Sequence, residues 1–365
     1  MEPTFQEVSV RWSLGKRSTE AEHGVRLGDI VLRNRLVTSS SLLGYGVANS
    51  GFYGMSPIAM LVPLERFGAV TTRTVTVEPR EGHFTTRDDW TLRELPGLLK
   101  RYGTVLRGVD GGFINAFGWC NVGIQAYLRD YYPRTRDQRT IISLGGFSAE
   151  EFVSLVDSVN AAVPAGEIAA VEFNVSCHNV NFDFSKILDA VLAEAVPRSQ
   201  HPVILKLSPD VDYLDNARRA AKAGVSALTA INTVKALRLD PRTGKPLLAN
   251  RYGGLSGRAI KPIGLRVVAE LRDAGVTLPI IASGGIRTVN DCREYFWAGA
   301  DAVSLGSATW LASYPGYALS PLYAARVRRV LRAVSRYPPQ SPERKALPSP
   351  PVMSSRSTPS RSPMR

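Results

Sequence analysis

Residues able to do chemistry crowd the ends of short apolar runs. VEFNVSCHN places Asn174, Ser176, Cys177, His178 and Asn179 at and just beyond the end of one such run. ILKLSPD sets Lys206 inside another, and AINTV ends in Asn232 and Thr233. IIASGGI ends with Gly284 and Gly285, and SLGSA carries Gly306 and Ser307. A thiol moves protons or attacks carbon once it ionises. Paired glycines let backbone N–H groups approach a phosphate, often beside a helix N-terminus. A lysine aimed into such a site stabilises negative charge growing on a bound ring. Asn115, Asn174, Asn179 and Asn232 offer the donors and acceptors that a small planar amide or carboxylate needs. Each residue also has a plainer reading. The cysteine is then a small core hydrophobe, the lysine pairs with a surface carboxylate, and the asparagines and glycines make turns. The functional reading rests on all of them falling at equivalent points of one repeating pattern.

That pattern is strand followed by helix. Eight strand-like runs occur at 35–39, 69–74, 140–144, 169–174, 203–207, 227–231, 279–283 and 302–305. Helical stretches lie between them, among them 149–162, 214–223, 264–274 and 291–298. Repeated β-then-α order implies parallel strands joined by right-handed crossovers. Eight units close into a (β/α)8 TIM barrel, with an open doubly wound sheet as the structural alternative. The spacings 75–139 and 233–278 exceed a loop plus a helix. They predict small β-rich insertions on the C-terminal face, where barrel active sites are built.

Composition bounds the rest. The chain has 365 residues, 44% hydrophobic and 21% charged, enough to bury a full core. No run approaches the roughly 18 apolar residues that span a bilayer. The first 24 residues lack a signal-peptide pattern, so a cytoplasmic location is expected, without membrane contact. Three cysteines and four histidines are too scattered for a disulfide framework or a zinc site, so no metal is expected. From Pro321 onward lie ten basic residues and one acidic residue, leaving residues 1–320 only +4 of the net +13. The excess therefore belongs to a terminal helix and tail, not to a nucleic-acid groove. The domain reading is an N-terminal extension (1–30), a barrel (31–336) and a disordered Pro/Ser/Arg-rich tail (337–365).

In this order the motifs resemble the dihydroorotate dehydrogenases, including the related domain of dihydropyrimidine dehydrogenase. The resemblance runs from about Val31 to Trp310. It is carried by VEFNVSCHNV, ILKLSPDV, AINTVKALRLDPRTGKPLLANRYGGLSGRAIKP, IIASGGI and SLGSA. GGFINAFGWCNVG and VTTRTVTVEPREGH resemble the family's substrate segment and the end of its second strand. The resemblance implies FMN-dependent oxidation of (S)-dihydroorotate to orotate in pyrimidine biosynthesis. Cys177, matching the catalytic cysteine of the class 1 enzymes, would take the C5 proton while C6 delivers hydride to flavin N5. Its thiol is then expected to ionise near or below the working pH.

The same resemblance implies substrate contacts at Arg73, Asn115, Ala116, Phe117, Gly118, Trp119, Asn174, Asn179, Asn232 and Thr233. It implies FMN contacts at Ser40, Arg73, Thr74, Ser143, Asn174, Lys206, Ile231, Gly257, Gly284, Gly285, Gly306 and Ser307. The INTV…GGLSG stretch looks like the NAD-linked subclass, which implies an iron–sulfur/FAD electron-transfer subunit and a homodimer. Three positions depart from the family pattern. Arg73 stands for lysine, Ser143 for asparagine, and His178 for the proline after the cysteine. Three rival functions stay open at this point: an FMN oxidoreductase acting on another cyclic amide or dihydropyrimidine, a flavin-free phosphate-binding barrel enzyme, and a non-catalytic interaction protein acting through its basic tail.

Overall fold

Short runs of Val, Ile, Leu and Ala bury both faces only when helices cover them, and such strands pair in parallel. The computed structural model, which describes residues 24–40, 44–46, 64–83, 103–135, 138–310, 329–330 and 332–334, has this arrangement. A hairpin, β1 (Val25–Leu27) and β2 (Ile30–Leu32), comes first. Next are β3 (Leu36–Thr38), β4 (Val70–Thr71), β5 (Leu106–Val109), β6 (Gly112–Asn115) and β7 (Thr140–Leu144). Then follow β8 (Ala170–Phe173), β9 (Val203–Leu207), β10 (Ala227–Ala230), β11 (Val234–Leu237) and β12 (Tyr252–Gly257). The last two are β13 (Ile280–Ser283) and β14 (Ala302–Leu305).

Eight strands form one sheet in the order β3-β14-β13-β10-β9-β8-β7-β4. Every hydrogen-bonded pair within it is parallel. A parallel bridge from Val37 to Ala69, with the Thr38 N–H donating to the Ala69 carbonyl at 3.2 Å, brings the two ends together. The fold is the expected (β/α)8 barrel, and each of the eight runs read from sequence contains one barrel strand.

Helices Ala149–Ala162, Leu188–Glu194, Tyr213–Lys222, Lys261–Asp273 and Val289–Trp297 surround it. Ser148, Asp212 and Thr288 cap three of them, each accepting from a backbone N–H three residues on. The helix after β12 starts at Lys261, and the next starts at Val289, two residues before the run read from sequence. Pro262 is preorganised for the first turn of one, and Thr288 with Asp291 forms a capping box on the other.

The barrel interior is layered by the two-residue period of a strand. The hairpin residues Leu27, Ile30 and Leu32 plug the N-terminal end. They pack on Val37, Ala69, Ile141, Ala170, Ile204, Ala227, Ile281 and Ala302, one residue at each strand of the sheet. Two positions further along, the same faces carry Ser39, Thr71, Ser143, Glu172, Lys206, Thr229, Ser283 and Ser304. An apolar layer thus gives way to a polar one, toward the C-terminal ends.

The two insertions do not stand as separate covers. They combine in one antiparallel sheet, β11-β12-β6-β5, in which Asn115 lies opposite Gly254. The proposed tail and the first 23 residues of the N-terminal extension lie outside the described residues. Among the described residues, no helix is long and apolar enough to cross a membrane.

His201, just before β9, is 2% exposed, and neither ring nitrogen makes a sound hydrogen bond. Burial lowers its pKa from 6.5, with weaker opposition from Val163 and Glu167. The folded state therefore keeps this ring neutral at pH values where the unfolded chain binds a proton. Its stabilising contribution is full above about pH 6.5 and shrinks as the pH falls below it. Urea denaturation between pH 7 and pH 5 should show falling stability in the wild type. The slope should be shallower in His201→Leu, and equal slopes would remove His201 as the cause.

Candidate active site

Above the polar layer a cleft opens at the C-terminal ends of the strands. It encloses about 1080 Å³, including its solvent-open mouth. Strand ends supply most of the lining. β3 leads to Ser40, β4 to Arg73 and Thr74, and β8 to Asn174 and Cys177. β9 contributes Lys206, and β10 leads to Ile231, Asn232 and Thr233. Gly284 and Gly285 follow β13, while Gly306 and Ser307 follow β14. The insertion sheet covers one side with Asn115, Phe117, Gly118, Trp119 and Gly257.

Two expected contacts do not line the space. Ala116 is buried behind it with Ile114 and Leu248. Ser143 lies beneath, bonded to Thr74 (3.0 Å) and Glu172 (3.1 Å), because a serine is too short to reach past Thr74. Sequence reasoning missed Ser39, Cys120, Ser256, Ile260, Ser283 and Ile286. Ser39 and Ser283 had a legible signal, since each lies two residues beyond an inward apolar position. Cys120, Ser256, Ile260 and Ile286 had none beyond adjacency to chosen residues.

The electrostatic centre is Glu172, 3% exposed. It accepts hydrogen bonds from Ser143, from Lys206 Nζ at 3.2 Å and from Thr229 at 2.9 Å. Lys206 is 6% exposed, so the pair is held inside the barrel while the lysine still borders the cleft. A lattice of amides rises from there. Asn174 Nδ2 donates to Thr74 Oγ1 (2.9 Å), and Asn232 Nδ2 donates to Asn174 Oδ1 (3.2 Å) and Ser176 Oγ (3.1 Å). Asn179 Nδ2 donates to Asn115 Oδ1 (3.0 Å), and Asn115 Nδ2 donates to the Gly254 carbonyl (3.0 Å). Asn179 Oδ1 is buried without a hydrogen-bond donor, an acceptor suited to a ligand N–H. Arg73 donates to the Cys120 carbonyl (3.0 Å) and brings a second cation to the lining.

Cys177 leaves β8 in an extended conformation and opens the short turn His178–Val180. Burial pushes its thiol up to about 11. The Asn179 N–H, the Lys206 charge and the Val180 N–H oppose that rise without cancelling it. This corrects the expectation of a thiol ionising near neutral pH, since the desolvation that shields the site also disfavours the anion. His178 faces Asp210 rather than open solvent, with Nε2 2.7 Å from Oδ2.

The glycines have no substitute. Gly285 has φ 67°, and a Cβ there would meet the Gly257 carbonyl at 2.8 Å and Lys261 Cβ at 2.7 Å. At Gly257 (φ 98°) a Cβ would meet Gly112 Cα at 2.6 Å. This tight, side-chain-free turn suits close approach of a phosphate to backbone N–H groups.

A sequence model for the family described as "Dihydroorotate dehydrogenase" matches residues 44–318. This chain belongs to the dihydroorotate dehydrogenase family. It is 35% identical over 296 residues to the "Dihydroorotate dehydrogenase B (NAD(+)), catalytic subunit" of Bacillus thuringiensis (strain Al Hakam), covering 79% of this chain and 86% of that one. The protein of the same name from Geobacillus sp. (strain WCH70) is also 35% identical, over 79% of this chain and 85% of its own. The match to the dihydroorotate dehydrogenase family takes in every strand from β4 to β14 and all the cleft residues from Arg73 to Ser307.

The Glu172–Lys206 pair makes a direct test of this geometry. Glu172→Gln leaves an unpaired buried cation and should cost about 3 kcal/mol in urea denaturation. Glu172→Gln combined with Lys206→Met should regain most of that loss. A double variant as unstable as the sum of its parts would show that the two groups do not support each other.

Proposed function

We propose that this chain oxidises (S)-dihydroorotate to orotate with FMN as its resident flavin, serving pyrimidine biosynthesis in the cytoplasm. One observation carries the reading. Cys177 and Lys206, from neighbouring strands, border the same cleft as the Gly284–Gly285 turn. A flavin enzyme of this family needs a proton acceptor, a cation and a phosphate seat, and all three belong to one cavity.

The donor set fits FMN. Gly284, Gly285, Gly306 and Ser307 would hold its phosphate, and the tight glycine turn supports that assignment. Lys206, Ser40, Thr74 and Ile231 would border its ring system. When bound, FMN supplies the hydride acceptor for the reaction.

The protein's own groups do the remaining work. Asn115, Asn174, Asn179 and Asn232 hold the planar ring of the substrate through their amides, and the unpaired Asn179 oxygen accepts a ring N–H. Arg73 balances the substrate carboxylate. Cys177 Sγ, as thiolate, takes the C5 proton while the C6 hydrogen departs with its electron pair. The products are orotate and a protonated thiol, which returns its proton to solvent. Phe117 and Trp119 shield the reacting face. Reoxidation falls to an iron–sulfur/FAD electron-transfer subunit like the partner implied by the relatives' designation as catalytic subunits. A homodimer of this chain forms the core of that assembly.

Anaerobic mixing of the purified flavoprotein with dihydroorotate should bleach the flavin absorbance. Dihydrouracil, which offers Arg73 no carboxylate, should reduce it more slowly. A thiol near 11 makes the reduction rate climb with pH through the neutral range. Cys177→Ser should slow the step at least ~100-fold and displace the climb to higher pH. Equal reduction by both substrates, or a Cys177→Ser rate matching wild type, contradicts the assignment.

A further inference from the structure

The turn that carries the reactive thiol is tied down from outside the cleft. His178 Nε2 lies 2.7 Å from Asp210 Oδ2 and 2.9 Å from Ser208 Oγ. The same Asp210 oxygen accepts from the Lys235 N–H at 2.8 Å and from the Ser208 hydroxyl at 3.4 Å. The Asp210 N–H in turn donates to Ser208 Oγ at 3.2 Å. With every other contact of that carboxylate oxygen a donor, the imidazole presents Nε2–H to it. Three elements therefore meet at one carboxylate: the turn after β8, the loop after β9, and β11 of the covering sheet. The knot is mostly enclosed, its side chains being 14% exposed at His178 and 27% at Asp210.

The turn's other end is held independently. His83 Nε2 lies 2.8 Å from the Asn179 carbonyl, and Asn179 also bonds Asn115. Cys177 heads this doubly held turn and borders the cleft. A side chain at the head of so short a turn keeps its direction only while the turn keeps its shape.

We propose that His178 is a positioning residue for Cys177: its grip on Asp210 keeps the 178–180 turn shaped so that the sulfur stays in its place at the cleft. The claim rests on the proposed role of Cys177 as the proton acceptor. The titratable groups around this unit are Asp210 on the loop side, Lys206 with Glu172 inside the barrel, and His83 on the turn's far end. Burial would raise the Asp210 carboxyl. Hydrogen bonds from His178, the Lys235 N–H and Ser208, with the charge of His178, outweigh burial and hold it below the usual carboxylate value. Losing His178 leaves Asp210 with the Lys235 N–H and Ser208, so the loop stays satisfied and the variant folds. The effect is confined to the turn.

The test compares wild type, His178→Ala, His178→Gln and Asp210→Asn as purified flavoproteins. Flavin reduction by dihydroorotate, orotate binding and the rate at which iodoacetamide alkylates Cys177, read by peptide mass, are measured on each. His178→Ala should reduce flavin about ten-fold more slowly, with orotate affinity within two-fold of wild type, a loss of about 1.4 kcal/mol in the proton-transfer step alone. Asp210→Asn should move the same way. His178→Gln, whose amide N–H replaces Nε2–H, should restore most of the rate. A wild-type reduction rate in His178→Ala overturns the proposal, as does an equal loss of orotate affinity or failure of glutamine to rescue. Should dihydroorotate fail to reduce even the wild-type flavin, the functional reading falls and alkylation alone decides. A Cys177 alkylation rate changed several-fold in His178→Ala then upholds the latch, and an unchanged rate overturns it.

Discussion

A carboxylate and an ammonium group sit inside this barrel two residues beyond a layer of pure hydrocarbon. Neither could stay there alone, because an isolated buried charge costs far more than any single packing contact returns. Glu172 and Lys206 answer one another, and Ser143 and Thr229 complete the shell of the carboxylate. That arrangement lets a cation stand at the floor of the cleft without drawing in water. It also fixes where the apolar core ends. Below it, the hairpin and the first inward residue at each strand close the barrel; above it, every inward position is available for polar work.

The covering sheet follows from the same economy of position. β6 and β12 come from insertions separated by more than a hundred residues, yet they pair directly, and Asn115 and Gly257 reach the cleft from them. The amide lattice from Asn115 through Asn179 then ties the cover to the turn bearing Cys177. Cover, turn and barrel floor are thus one connected hydrogen-bonded body. A group displaced in one of them is felt in the others, which suits a site that must hold a small planar molecule in near-attack geometry.

Much of this was legible in the sequence, for identifiable reasons. Strands at 140–144, 203–207 and 302–305 matched residue for residue, because parallel barrel strands are continuous apolar runs with sharp polar ends. Most residues expected at the cleft line it, because strand ends in one architecture share one face. What escaped is long-range. Glu172 reads as an ordinary acidic residue in VEF until the barrel brings Lys206 beside it. The joining of the two insertions depends on pairing register, which local sequence does not encode. Ser143 kept the place of a family contact but lost the reach for it. His178 read only as a departure from the family pattern, because only the fold supplies Asp210 as its partner.

The protonated thiol is the less obvious consequence of enclosure. A base for carbon acids has to be shielded from water, or the amide contacts that orient the substrate lose strength. The same shielding raises the thiol, since removing water penalises the anion most. The one cation nearby is shared: Lys206 pairs with Glu172 and still favours the thiolate. Backbone N–H dipoles of the turn add to that effect. Dipoles lower the cost of the thiolate only while correctly aimed, so the chemistry depends on the rigidity of a three-residue turn. On the proposed latch, His178 supplies that stiffness through its hydrogen bond with Asp210. The position next to the sulfur then becomes replaceable in residue type but not in stiffness.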